Sequence, residues 1–102
     1  MSEIRNLLLN QYVLVRTYSA GVFVGTLVKC EGTEIEMKDT RRIWAWKGAM
    51  CLSDIAQDGV SKPLECKFSQ EINQIILTNV IEISKVTLKA KQSIAAVPIW
   101  KE

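Results

Sequence analysis

The sequence predicts one small domain that is mainly β, with a minor helical part, folded as a curled sheet. Short runs rich in β-branched and aromatic residues alternate apolar with polar side chains at a period of two, which is typical of half-buried strands. The chain has 102 residues, of which 48% are hydrophobic, and this is enough for one modest core. We therefore expect residues 1–102 to form a single domain.

The first two strands are predicted to form a hairpin. Residues 11–18 and 22–29 are rich in β-branched and aromatic types, and the Ser-Ala-Gly sequence at 19–21 suits a turn. Gly25 lies inside the second run, where a glycine usually marks a bulge or a sharp bend. Such a bend would curl the sheet towards a barrel.

Four further runs continue the strand pattern. Residues 33–39 alternate apolar and charged side chains and predict a third strand that is half buried. Residues 42–47 predict a fourth, shorter strand. The apolar runs 75–77 and 80–83 are predicted to lie in the core, joined either as a tight hairpin or as one long bent strand.

Residues 48–69 interrupt this pattern and are predicted to be an insertion. Within it, apolar residues from Cys51 to Ala56 recur at helical spacing, and Gly59 is placed to end a short helix. The insertion therefore supplies one short helix and a loop.

A last helix is predicted over residues 88–96. Thr87 precedes it and can cap its N-terminus, and Pro98 ends it because the residue before a proline avoids helical geometry. We expect residues 97–100 to pack back onto the domain as an extended segment.

This order of strands resembles that of SH3-like and Sm-like small barrels. The features that carry the resemblance are Gly25, the strand ending in Lys38 and Asp39, and the run at 76–83. The resemblance implies single-stranded RNA binding as one alternative function. The insertion at 48–69 departs from the Sm pattern, and the uridine-binding signature of that family has no clear counterpart.

A second resemblance extends from Tyr12 to Trp100 and is to a family of small phage and prophage proteins known only as a domain of unknown function. It implies a viral origin and supplies no mechanism. Phage proteins of this size without catalytic machinery include sponges that sequester the nucleotide signals of host defence systems such as Thoeris and CBASS, which offers an analogy. The similar segments are Tyr12 to Phe23, Arg41 to Ala49, Lys67-Phe68 and Ala96 to Trp100.

The predicted contact surface lies in the segment from Arg41 to Lys47. In a strand, Arg42, Trp44 and Trp46 share one face, while Arg41 and Lys47 lie on the other. An indole offers a stacking platform for a base, and a guanidinium offers a forked donor for phosphate. A core or subunit-interface role for the tryptophans is equally open. Basic and aromatic residues of the first strand and of the insertion complete the predicted ligand-binding set, which is Arg16, Tyr18, Arg41, Arg42, Trp44, Trp46, Lys62 and Lys67.

No catalysis, cofactor or metal site is expected. The chain has no histidine, so the usual general base and the Ser/His/Asp and Cys/His arrangements are unavailable. Cys30, Cys51 and Cys66 form no C-x-x-C pair and are interpreted as small hydrophobic residues. The net charge of +2 is weak for a polyanion partner. A small phosphorylated ligand needs only a few well-placed cations.

The sequence therefore favours a binding function. We expect a homo-oligomeric phage protein that binds and sequesters a small nucleotide-type immune signal, a cyclic ADP-ribose isomer or a cyclic oligonucleotide, without cleaving it. The alternatives are an Sm-like RNA-binding protein and an inhibitor that binds a host enzyme. Because no apolar run approaches the roughly 20 residues of a membrane span and no secretory pattern is present, we expect a cytoplasmic location in the infected host.

Overall fold

The computed structural model describes residues 6–100. Within this range the protein is mainly β, as predicted, with two α-helices and a 3-10 turn at residues 63–65. The strands are β1 (Tyr12–Thr17), β2 (Val22–Glu31), β3 (Glu34–Ala45), β4 (Lys67–Phe68), β5 (Ile72–Leu77) and β6 (Val80–Lys85), and the helices are α1 (Leu52–Asp58) and α2 (Leu88–Ala95).

The six strands form one antiparallel sheet, in which β6, β1, β2 and β3 are successive neighbours. The outer edge of β3 is shared, because β5 pairs with its residues 35–40 and β4 with residues 43–45. β5 and β6 follow one another in the chain without pairing to each other, so the hairpin alternative for this region is wrong. The curled six-stranded sheet is roughly consistent with the predicted small barrel, but within residues 6–100 the barrel is not closed.

The predicted third and fourth strands are one continuous strand, β3, so the prediction of a separate fourth strand is wrong. Asp39 takes a positive φ of 51°, and the pairing of β2 with β3 shifts register between Val24 and Thr26. The irregularity predicted at Gly25 is thus confirmed, and its extra residue lies in β3, where Asp39 and Thr40 face Gly25. Pairing resumes beyond it, so the polar residues around Asp39 do not end β3.

Both faces of the sheet carry a buried core. One face is covered by the helices and is called here the helix-side core; its members include Leu14, Val24, Ile43, Ile55, Phe68 and Ile94. The other face lies inside the curl and is called here the inner core; its members include Val13, Val15, Phe23, Leu27, Met37 and Leu77. Strands buried on both faces have nearly continuous apolar sequences, which explains the weak alternation in β1.

The two predicted helices are confirmed, and a serine of α2 forms hydrogen bonds to the segment that follows α1. α1 ends at Gly59, whose N–H donates to the carbonyl of Ile55 at 2.9 Å. Thr87 caps α2 by accepting a hydrogen bond from the N–H of Ala90 at 3.0 Å. The Ser93 hydroxyl donates to the carbonyl of Val60 and accepts from its N–H, so α2 holds the segment that follows α1.

The segment after α2 packs back as an extended strand-like tail. Ile99 forms a parallel bridge with Phe68, and the Trp100 N–H donates to the Phe68 carbonyl at 2.9 Å. The tail therefore continues the sheet beyond β4. No helix between residues 6 and 100 has the length and apolar character to span a membrane.

Candidate functional site

Three neighbouring backbone segments meet at the end of the sheet where β3 finishes. β4 pairs with this end through Ala45 and Lys67, and the tail lies beside β4 through the bridge at Ile99. Each segment contributes one prominent side chain to this end. We call the three side chains, Trp44, Lys67 and Trp100, the tryptophan platform.

The platform has a defined geometry on an open surface. The rings of Trp44 and Trp100 pack edge to face, with centroids 5.0 Å apart and an interplanar angle of 84°. The Lys67 ammonium lies 5.1 Å from the centroid of the Trp100 ring. Trp44 is 51% exposed and Trp100 is 37% exposed. The pair thus orders two indoles beside a cation while leaving ring surface accessible to a ligand.

The two tryptophans of the predicted surface have different roles. β3 has an irregularity between Ile43 and Ala45, and Ile43 is buried in the helix-side core while Trp44 is exposed. Trp46 follows the end of β3, packs against the helix-side core and donates its Nε1–H to the carbonyl of Ala49 at 3.2 Å. Trp46 is therefore a packing residue, in agreement with the core alternative, and Trp44 is available for binding.

Arg41 is buried, with 7% of its surface exposed, and is held by backbone carbonyls. Its Nε donates to Ser69 at 2.8 Å, Nη1 donates to Ile94 at 3.0 Å and Nη2 donates to Pro98 at 3.3 Å. The guanidinium also lies 5.2 Å from the centroid of the Phe68 ring. Arg41 thus ties β3 to the segment after β4, to the last turn of α2 and to the tail, and it is not part of the tryptophan platform.

Arg42 lies on the side of the inner core. It is the register partner of Phe23, and its guanidinium is 4.8 Å from the centroid of that ring. Its Nε is buried and has no hydrogen-bond partner within residues 6–100. Of the two adjacent arginines, Arg41 is therefore held by three backbone carbonyls and Arg42 mainly by an aromatic ring.

The remaining predicted residues lie elsewhere. Arg16, on β1, forms an exposed ion pair with Glu82, with 3.2 Å between Nε and Oε1, and Tyr18 follows β1. In the sheet, β2 separates β1 from β3. Lys62 is exposed and precedes the 3-10 turn. In the described part of the chain, none of the three has a polar or ring contact with the platform.

Sequence reasoning missed Trp100 as a site residue. Its segment stands out only for its resemblance to other proteins, and nothing in the local pattern assigns it to a surface. The contacts with Trp44 and Lys67 arise because the tail returns to β4, which is a long-range pairing. The one local signal of its position is that Trp100 lies just beyond Pro98, where the helix must end.

The three cysteines are separated in space. Cys30 belongs to the inner core, Cys66 belongs to the helix-side core and Cys51 is exposed. No group of three potential metal ligands occurs among His, Cys, Asp and Glu side chains between residues 6 and 100.

Comparison with known families places the sequence in one of them. The family model described as Domain of unknown function (DUF6948) matches residues 10–94. The chain belongs to this family. The prediction of a domain of unknown function is thereby confirmed, while the phage origin stays a prediction. No curated protein matches the chain.

The DUF6948 match contains most of the platform. It includes Trp44 and Lys67 and ends before Trp100. In this DUF6948 chain the second indole of the platform, that of Trp100, therefore belongs to the tail and lies outside the residues that the family model matches. Stacking of one base on an aromatic side chain contributes about 1–3 kcal/mol, and an ammonium beside it can donate to a phosphate oxygen.

Proposed function

We propose that this DUF6948 protein binds a nucleotide-type ligand on the tryptophan platform without converting it. The observation that carries this function is the exposed edge-to-face pair of Trp44 and Trp100 with the Lys67 ammonium 5.1 Å from the Trp100 ring. A base stacks on the accessible indole surface, and Lys67 moves from the ring to a phosphate. Binding without conversion is favoured because the platform offers two indoles and one ammonium, and the chain has no histidine to act as a general base.

The biological role that we propose is sequestration of a small nucleotide immune signal, such as a cyclic ADP-ribose isomer or a cyclic oligonucleotide, in the host cytoplasm. It rests on the resemblance to phage proteins and on the charge of the platform. A single cation in the platform suits one small phosphorylated molecule better than a long polyanion, whose affinity depends on many phosphate contacts.

Replacing either platform tryptophan with alanine is expected to weaken nucleotide binding. Because the lost stacking contributes about 1–3 kcal/mol, the dissociation constant should rise roughly 5- to 150-fold in Trp44→Ala and in Trp100→Ala. Isothermal titration calorimetry against cyclic ADP-ribose isomers, cyclic dinucleotides and a short oligouridylate measures this change and ranks the ligands.

Leu88→Ala is the matched control, since Leu88 is an exposed apolar residue on α2 outside the platform, and the affinity of this variant should equal that of the unmodified protein. Failure of the unmodified protein to bind any member of the panel would remove the nucleotide function. Binding of the oligouridylate alone, with an affinity that falls steeply with salt, would instead support the RNA alternative.

A protein partner is the second candidate function. Met50 lies in the loop after β3 and Leu64 in the 3-10 turn before β4, and both are large exposed apolar residues close in sequence to Trp46 and Lys67. Exposed apolar side chains gathered at one end of a domain are typical of an interaction surface. This observation supports the inhibitor alternative, in which the platform and these loops together contact a host enzyme.

We also propose that the protein is a homo-oligomer assembled through its sheet edges. Within the described residues, β5 pairs only with β3 and β6 only with β1, so each has a free edge. β5 has no charged residue or proline to protect that edge. Ile76 on β5 is 65% exposed and Ile81 on β6 is 53% exposed. Pairing of β5 in one copy with β6 in the next satisfies both edges.

Ile76→Lys is expected to shift the protein towards the monomer, because a lysine on the β5 edge places a charge in the strand contact. Size-exclusion chromatography with light scattering should give a mass near 11.5 kDa for the variant and a multiple of it for the unmodified protein. Leu88→Lys places the same charge on α2 and should keep the larger mass. A monomeric unmodified protein at high concentration would contradict the assembly.

A further inference from the structure

A cavity of about 360 Å³ lies on the helix side of the sheet and shares no residue with the tryptophan platform. Its polar wall is formed by Tyr12, Arg41, Glu71 and Lys91, and its apolar wall includes Val97 and Ile99. A volume of this size is within the range of small-molecule sites, roughly 300–1,000 Å³, which combine apolar walls with a few placed polar groups.

The buried guanidinium in the wall of this cavity forms hydrogen bonds to backbone carbonyls and, within residues 6–100, no ion pair with a carboxylate. Arg41 donates to three backbone carbonyls, which leaves two of the five N–H groups of a guanidinium unassigned. In the part of the chain that the structure describes, no aspartate or glutamate forms an ion pair with it. Burial lowers the pKa of Arg41, and the nearby Tyr12 and Glu71 act in the opposite direction, so Glu71 offsets only part of the cost of burying this charge. Buried charges are ordinarily paired, and here the one carboxylate of the wall, Glu71, forms no ion pair with the guanidinium within the described residues.

Two further donors face the same space. The Lys91 ammonium lies 4.9 Å from the centroid of the Tyr12 ring, where it is exposed on α2. Burial raises the pKa of Tyr12 to about 12, with Arg41 acting in the opposite direction, so its phenol is neutral and can donate at ordinary pH. Against these donors stands one carboxylate, Glu71. The wall therefore has an excess of positive charge.

We infer that this cavity binds a small organic anion, a carboxylate or a phosphate monoester, in a site separate from that of the proposed function. The charged group of the ligand contacts Arg41 and Lys91, and the Tyr12 hydroxyl donates a further hydrogen bond. The apolar part of the ligand packs against Val97 and Ile99. Bound in this way, the ligand adds negative charge to that of Glu71 and balances the excess of positive charge in the wall.

Phenyl phosphate and benzoate are suitable probes, followed by NMR chemical-shift titration of the unmodified protein and of single variants. Lys91→Gln should weaken binding roughly 10- to 150-fold, because a hydrogen bond to a charged group contributes about 1.5–3 kcal/mol. Glu71→Gln should strengthen binding several-fold, because it removes a like charge from the wall. Arg41 itself is left unchanged, since its substitution would disturb the fold.

Two control variants show whether the probes bind in this cavity. Lys89 is an exposed cation on the same helix and forms an ion pair with Asp58. The Lys89→Gln variant should bind the probes like the unmodified protein. Trp44→Ala should also retain binding, whatever it does to nucleotide affinity. Absence of binding at millimolar probe, equal losses in Lys91→Gln and Lys89→Gln, or loss in Trp44→Ala would each overturn the anion site.

Discussion

Arg41→Met is expected to lower the free energy of unfolding by about 2–5 kcal/mol. The guanidinium donates to the carbonyls of Ser69, Ile94 and Pro98, and methionine offers none of these donors. The Ile94 bond is buried, so its carbonyl would lose its partner away from water. Urea denaturation followed by circular dichroism measures the change as a lower midpoint at an unchanged slope.

Arg42→Met is the matched control for this substitution, since it makes the same chemical change one residue further along β3. The Arg42 guanidinium lies over Phe23 and its buried Nε has no partner within residues 6–100. Methionine keeps an apolar contact with the ring and removes the unsatisfied group, so the expected loss is only about 0–1 kcal/mol. Equal losses in the two variants would contradict the role assigned to Arg41.

Gly25→Ala is expected to destabilise the protein by about 3 kcal/mol, near the upper end of the usual cost of overpacking. A Cβ at this position would clash with Oγ1 of Thr40 and would lie 2.8 Å from the Cα of that residue. The hydroxyl can rotate away, but the backbone atom cannot. β2 and β3 must therefore separate at the bulge that bends the sheet. Thermal and urea unfolding of the variant measure the cost.

Two further variants separate the cost of backbone strain from the cost of crowding against residue 40. Gly32→Ala introduces the same methyl at a turn with φ of 59° and no neighbour within 4 Å, so only the backbone strain of about 1 kcal/mol should appear. Adding Thr40→Ala to Gly25→Ala removes the hydroxyl clash but leaves the backbone of residue 40 too close to the new methyl, so it should restore only part of the stability. Full recovery in the double variant would show that crowding by the backbone is unimportant.

The local features of this fold were predicted from the sequence because short-range geometry decides them. Gly59 indicated the end of α1 and Thr87 the cap of α2, and each depends on neighbours within a few residues. Gly25 indicated the bulge because a glycine inside a strand leaves room for the close approach of a neighbouring backbone. The division of β3 into two strands was wrong for the opposite reason. The polar residues after Met37 look like a turn, yet Thr40 is buried against Gly25 and Arg41 against distant carbonyls.

The sequence by itself determined that the chain is mainly β, with a cluster of cations and indoles near the end of β3. Only the tertiary structure decided which of them form the tryptophan platform. Arg41 is engaged by carbonyls 28 to 57 residues away, Trp46 packs against the helix-side core, and Trp100 reaches Trp44 because the tail returns to β4. The physical reason is that periodicity fixes the face of a strand on which a side chain lies, whereas burial depends on segments that are distant in the chain.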